Sequence, residues 1–400
     1  MKGAMSWPFL RLYLLALLYF SGNSILNVII PLKGAEEGAS STAIGLIMGA
    51  YMFTTMFFRP WAGHFIPKYG SIRILRSILL VNGISLVLYA MVGLEVFVVA
   101  RIMQGICTAF FSMALQIGIL DALPEEDRSQ GISMYSLFSY IPGIAGPLLA
   151  LGIWQNGGAS GFALTMTGIA VLTAVFGYTV RGSEVEQPAS KRQGEEKMPA
   201  EAGGIRSFGQ LLRNPHLLKC SLLMLTASVV FGAVTTFMPL YAREVRSGHA
   251  GIYLMLQAAA LVGMRFAWRK RMPSDGRWHT RFMVVTLLLL TFGAAGVSAA
   301  LAGGVWFLYA GAVLIGTSQA LLYPTLMAYL SSVLPKANRN VLIGLFIASA
   351  DLGTSLGGVL MGPLADLFSY SGMYAACAVL AGSAILGAYG RKTNQKGLPA

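Results

Sequence analysis

Twelve almost unbroken apolar stretches set the rhythm of this 400-residue chain, at roughly 9–31, 43–64, 73–93, 96–122, 131–153, 161–180, 216–241, 250–268, 281–301, 305–332, 341–364 and 372–390. Each is close to the roughly 20 residues that carry a helix across a bilayer, and short polar turns separate them. Helices apolar on every face leave no side for water, so the pattern predicts an all-α integral membrane protein. One long polar stretch interrupts the series, Arg181 to Pro215, rich in Glu, Lys, Gln and Pro. It reads as a solvated linker. The expected organisation is a six-helix bundle at 1–182, a cytoplasmic linker at 183–214 and a second six-helix bundle at 215–400.

The two halves read as copies of one unit. Ile30-Pro31-Leu32 returns as Met238-Pro239-Leu240, 208 positions on; Arg59, Pro67 and Gly70 return as Arg265, Pro273 and Gly276, 206 on; Gly105, Pro124 and Arg128 return as Gly316, Pro335 and Arg339, 211 on. Near-constant spacing predicts two pseudo-symmetric bundles of six transmembrane helices. Carriers built from such repeats hold their substrate between the halves, near the midplane, and expose it to each side in turn.

Composition supports the membrane assignment: 56% of residues are hydrophobic and 11% charged, against about 25% charged in an ordinary soluble domain. Lys and Arg number 29 against 16 Asp and Glu. Outside the spans, only Lys33, Arg243 and Arg246 fall in loops on one side, and the other basic residues fall on the opposite side with both termini. The positive-inside rule then predicts cytoplasmic termini, so the basic excess reports orientation and not a nucleic-acid partner. The stretch from Phe9 to Ile30 is too long for a signal-peptide core and is expected to remain as the first helix. Cys107, Cys220 and Cys377 each sit in a span without a CxxC or Cys/His cluster, which points to core packing. His64, His216, His249 and His279 lie at span ends or in loops with no second ligand at metal-binding spacing, and neither a metal nor a cofactor is expected. The absence of P-loop, H-E-x-x-H and G-x-S-x-G patterns argues against an ATP-driven pump or a membrane hydrolase.

Candidate chemistry therefore lies in the polar residues inside the spans, which are expensive there and call for a reason. In the fourth span Arg101, Gln104, Thr108, Ser112 and Gln116 share an arc of about 120° on one helix face. Asn23 and Asn27 stand at i, i+4 in the first span. Arg59 and its mate Arg265 lie near the ends of the second and eighth spans, where they could face substrate or reach to the interface. Gln257 takes the place of Tyr51, and Gln319 and Tyr323 take those of Thr108 and Ser112. Asp351 is the one acidic residue deep in a span, a candidate proton carrier or else a fixed partner of one arginine. Three arginines against one aspartate predict a positive path, suited to a small anionic or zwitterionic substrate whose carboxylates Arg can grip in bidentate fashion.

Arg101-Ile-Met-Gln104-Gly105 with Ala109 matches the RxxQGxxxA signature of the major facilitator superfamily, which the chain resembles. The stretch from Asp121 through Pro124 to Arg128 is similar to the cytoplasmic loop that follows it in those transporters. Gly63, Lys68, Gly70 and Arg73 match the superfamily's gating loop between helices 2 and 3, with Pro67 where an aspartate is usual. Gly146-Pro147 resembles the fifth-helix motif associated with antiporters. Further stretches, among them Phe58-Arg59-Pro60-Trp61-Ala62-Gly63, Pro273-Ser-Asp-Gly276 and Asp351-Leu-Gly353, resemble staphylopine-type exporters. That resemblance implies a multi-pass carrier in the bacterial plasma membrane, exporting a nicotianamine-like opine metallophore in exchange for protons; a monomer is expected. The other reading carried forward is a multidrug proton antiporter.

Overall fold

Apolar stretches become helices wherever the chain is described, which is at residues 5–91, 93–179, 214–268, 271–273, 276–335 and 339–389 of a computed structural model. The first half holds α1 (Trp7–Glu36), α2 (Ser41–Tyr69), α3 (Ser71–Met91) and α4 (Phe97–Ala122). These are followed by one helical run of 55 residues, Glu125–Thr179. At 1.5 Å per residue that run is about 80 Å long, more than twice the thickness of the hydrocarbon core, so it has to fold back. It does so at Gly158, whose φ of 52° and ψ of −144° lie in a region that a Cβ would disfavour. We label its arms α5 (125–157) and α6 (159–179). The sequence pattern separates them by a loop, whereas the structure keeps helix on both sides of a single glycine.

The second half comprises α7 (Pro215–Glu244), α8 (Ala250–Ala267), α9 (Thr280–Gly303), α10 (Val305–Val333), α11 (Arg339–Phe368) and α12 (Tyr370–Ala388). Among the described residues no strand forms. The expected linker at 183–214 lies outside the described residues except for Asn214, whose side chain caps α7 by accepting from His216 N and Leu217 N at 3.0 and 3.1 Å. Large apolar side chains such as Leu164, Trp306 and Leu386 point outward, as helices solvated by lipid require.

Within the first half α1 packs on the 125–179 run, and α4 on α2 and α3; within the second, α7 packs on α11, and α10 on α8 and α9. The two most extensive seams between the halves are α2 against α11 and α5 against α8, with a smaller contact where α1 meets α7. One end of the bundle carries Trp7, Thr179 and Pro215, and we call it the linker face. The opposite, distal end carries Glu36, Ser41 and Phe368.

Candidate functional site

Arg101 enters the bundle one turn into α4 and is completely buried. Nη1 donates to Asn23 Oδ1 and Gln104 Oε1, both at 3.2 Å, and Nη2 donates to Asn27 Oδ1 at 2.9 Å. Met48 Sδ lies 3.1 Å from Nη2, and the Tyr51 ring centroid 5.3 Å from the guanidinium carbon. Helical spacing explains the nest: Asn23 and Asn27 share a face of α1, and Gln104 is one turn from Arg101 on α4. Tyr89 also donates to Gln104 Oε1, at 3.2 Å. No carboxylate among the described residues pairs with Arg101, and its Nε is buried without an acceptor. Among the described residues, neutral dipoles and the Tyr51 ring solvate this cation in place of a counter-charge.

Further along α4, Thr108 Oγ1 meets the hydroxyls of Tyr19 at 2.8 Å and Tyr51 at 3.0 Å. Ser112 donates to Thr108 O, and Gln116 is half-buried beside the Tyr135 hydroxyl. Arg101, Gln104 and Thr108 are therefore spent on side chains of their own half. The polar arc expected to line a path faces α1, α2 and α3 over this length.

Arg59 has a different fate. Its Nε donates to Asp351 Oδ2 at 2.6 Å across the α2–α11 seam, with the side chains 29% and 13% exposed. Arg59 stands ten residues before the end of α2 at Tyr69, and its side chain turns to the opposite half. Arg59 lies eight residues past Tyr51, about 12 Å of helix towards the linker face. On the α5–α8 seam Arg265 Nη1 donates to the Tyr140 hydroxyl at 2.5 Å, and the guanidinium sits 4.9 Å from the Tyr140 ring centroid. Arg265 Nε is again buried and without an acceptor. Gln257 and Gln319 meet each other at 3.4 Å, and Tyr323 stacks on Phe346 with centroids 5.7 Å apart.

The stretch expected as a gating loop is mostly helix. Gly63 and Lys68 lie on α2, Arg73 on α3, and only Gly70, at φ 85°, stands between them. Its positive φ lets one residue make the turn that a longer loop would otherwise need. The side chains of Pro67 and Asp121 lie outside the described residues. Arg128 is on α5, and its Nε donates to Leu120 O at 3.0 Å and Leu123 O at 3.3 Å, capping the end of α4. A Cβ on Gly146, beside Pro147, would strike Ser24 of α1, whose Oγ donates to Pro142 O at 2.8 Å.

The repeat is visible at atomic level. A Cβ on Gly105 would meet the Tyr51 carbonyl, and one on Gly316 would meet the Gln257 carbonyl, so the same close approach occurs at α4–α2 and α10–α8. The sequence profile of the Major Facilitator Superfamily matches residues 12–272 and 271–399. The chain is 53% identical to the staphylopine export protein of Staphylococcus aureus (strain Mu50), over 95% of each chain. It is also 23% identical to the MFS-type transporter YhhS of Escherichia coli (strain K12), over 94% of this chain and 92% of that one. The chain belongs to the major facilitator superfamily. The solved structure of the nucleoside transporter NupG superposes with a TM-score of 0.72 at 12% identity, covering 96% of this chain and 98% of that one, which shows the shared fold.

In facilitator terms the chain is a multi-pass membrane transporter and not an enzyme. Several residues of this facilitator's seams were absent from the sequence reading. Tyr140 was overlooked although it stands 211 positions before Asp351, the spacing that also relates Gly105 to Gly316. Gly45 and Gly49 repeat at the four-residue interval of close helix contacts. Asp366 lies just past the eleventh apolar stretch and was not a candidate. Its Oδ1 accepts from Ser41 N at 2.8 Å, and its Oδ2 from Thr42 N at 2.9 Å and Thr42 Oγ1 at 2.6 Å, so it caps α2 from the other half.

Proposed function

We propose that this facilitator exports an opine-type metallophore, staphylopine or a close analogue, across the bacterial plasma membrane by alternating access in exchange for protons. The observation that carries the reading is the charge left over inside the membrane. Of Arg59, Arg101 and Arg265, only Arg59 has a carboxylate partner among the described residues, while Arg101 and Arg265 are held by neutral groups. Under the repeat, Arg265 takes the level of its mate Arg59, about 12 Å of helix from the Tyr51 ring that lies against Arg101. That spacing suits an elongated molecule with carboxylates at separate positions, as the nicotianamine-like class has. A carrier of lipophilic cations would be expected to leave carboxylates unpaired instead. The 53% identity to a staphylopine export protein supports the same substrate class.

On this reading the linker face is cytoplasmic, the structure is the state closed at the outer end, and one chain suffices because both seams lie within it. The bonds from Ser41, Thr42, Glu36 and Gly49 to the second half hold the distal end together. Substrate enters from the cytoplasm and reaches Arg101 by displacing the amides of Asn23 and Asn27, while Gln104, Gln116, Gln257, Gln319 and Tyr323 supply neutral contacts. Proton uptake by Asp351 from outside would release Arg59 and let the α2–α11 seam reset. Gly63, Lys68, Gly70, Arg73, Asp121, Arg128, Gly146 and Pro147 would shape the inner gate.

Uptake of labelled staphylopine into inverted vesicles tests both parts. Arg101→Gln is expected to lower substrate affinity at least tenfold and Gln104→Ala by less than threefold; equal losses would remove Arg101 from the site. Asp351→Asn is expected to abolish pH-driven accumulation while leaving substrate exchange, and full uphill transport by that variant would exclude Asp351 as the proton carrier.

A further inference from the structure

The two bonds between arginine and the opposite half are mates under the internal duplication. Arg59 and Arg265 are 206 positions apart, the spacing that relates Tyr51 to Gln257, whose carbonyls receive Gly105 and Gly316. Tyr140 and Asp351 are 211 positions apart, as are Gly105 and Gly316. The register of α5 on α11 has its own check. Gly146 abuts Ser24 of α1, and Gly357, again 211 positions on, abuts Val229–Ala233 of α7, which is where the repeat places the counterpart of Ser24. Arg59 to Asp351 across α2–α11 and Arg265 to Tyr140 across α8–α5 are thus one contact built twice.

One copy holds a carboxylate and the other a phenol. In the first, Arg59 spends its Nε on Asp351 and its charge is neutralised. In the second, Nη1 takes the phenol oxygen, the ring covers one face of the guanidinium, and Nε is left without an acceptor. A neutral acceptor satisfies one donor but leaves the charge and the bidentate edge unspent. Tyr140 is 37% exposed, so its hydroxyl can give way without unpacking a core.

We propose that Arg265 and Tyr140 form a carboxylate subsite, in which the Tyr140 hydroxyl holds the place that a carboxylate of the transported molecule takes. Tyr140 is then a specificity-determining residue: its neutrality keeps the second copy of the pair open to anions. This rests on the carboxylate-bearing substrate proposed above and adds where in the second half one carboxylate binds.

The test uses the full-length protein in detergent, with metal-free staphylopine and its fully esterified derivative as probes in calorimetric titrations. Tyr140→Asp recreates the arrangement of the Arg59 copy. It is expected to lower affinity for the acid at least tenfold while leaving the ester within twofold, and to have no further effect when Arg265→Gln is already present. Tyr140→Phe keeps the ring and removes the oxygen; it should hold the acid within about threefold, with an unchanged melting temperature reporting an intact fold. A purely structural role for Tyr140 would weaken acid and ester alike, and that result, or acid binding by Tyr140→Asp at the wild-type level, overturns the subsite while the substrate reading stands. Failure of the wild-type protein to prefer the acid over its ester would remove both.

Discussion

The α2–α11 and α5–α8 seams between the halves are equivalent under the internal repeat, yet they are built differently. At α2–α11 the backbones touch: a Cβ on Gly45 would strike Gly358 O, one on Gly358 would lie 2.7 Å from Gly45 O, and one on Gly362 would lie 2.7 Å from Ser41 O. Ser355 Oγ donates to Gly49 O at 2.9 Å, and Asp366 caps the start of α2. At α5–α8 side chains intervene, with Leu148 and Leu151 over Gly251 and Ala258 Cβ 3.8 Å from where a Cβ on Gly143 would sit. The repeat sets the same helix pairing twice, and the residues make one seam a tight polar zipper and the other a looser contact of apolar side chains around the Arg265–Tyr140 bond. The zipper should carry most of the stability of the distal closure, because bonds of backbone and carboxylate are lost together when it parts.

The same substitution in each seam should break the comparison most sharply. Gly358→Ala forces a methyl against backbone that cannot step aside, and overpacking of this kind costs on the order of 1–3 kcal/mol. Gly143→Ala meets nothing closer than ordinary contact, and alanine is the better helix former by up to about 1 kcal/mol. The expected outcome is a clear fall in melting temperature and at least tenfold slower transport for Gly358→Ala, with both near or above wild type for Gly143→Ala. Equal effects would mean that the seams carry equal loads.

A middle-sized effect is expected at the Asp366 clasp. Asp366→Asn keeps the shape but replaces charge-assisted acceptors with one neutral oxygen, a loss of about 1–2 kcal/mol. That is enough to raise the distally open population several-fold. Spin labels at the exposed positions Glu37 and Leu367 would report it as a longer distance between the ends of α1 and α11, and an unchanged distribution would show that the glycine zipper holds without the clasp.

How far these seams could be read beforehand depends on the range of the interaction. Span number and the pairing of Arg59 with Arg265 follow from hydrophobic run length and repeat spacing, which are local or periodic signals. The break between the fifth and sixth spans was legible in the polar, glycine-bearing stretch at 154–160, but its form, helix on both sides of Gly158 alone, was not, because the sequence pattern does not tell a short loop from a one-residue turn. Partner choice was the least legible step. Asp351 was recognisable as a buried acid, but which arginine it meets depends on the α2–α11 register, set by glycines 45, 49, 358 and 362 together. Arg101 was visible as a cost, whereas its solvation by Asn23 and Asn27 of α1, Met48 and Tyr51 of α2 and Gln104 of α4 required three helices to be in place.

The smallest effect belongs to the exposed edge where α1 meets α7. Glu36 Oε1 accepts from Arg243 Nη2 at 3.2 Å and from Trp154 Nε1 at 3.0 Å, with Glu36 and Arg243 side chains 46% and 49% exposed. An ion pair so open to solvent is screened and gains little over hydrated ions, typically 0–1 kcal/mol. Glu36→Gln retains an amide oxygen for Trp154 and gives up only the charge. Its effect on the distal distance should therefore stay well below that of Asp366→Asn and should vanish at about 1 M salt, where the Debye length falls to about 3 Å. An effect that matched the Asp366 variant and survived high salt would move the weight of the distal closure from the glycine zipper to the α1–α7 edge.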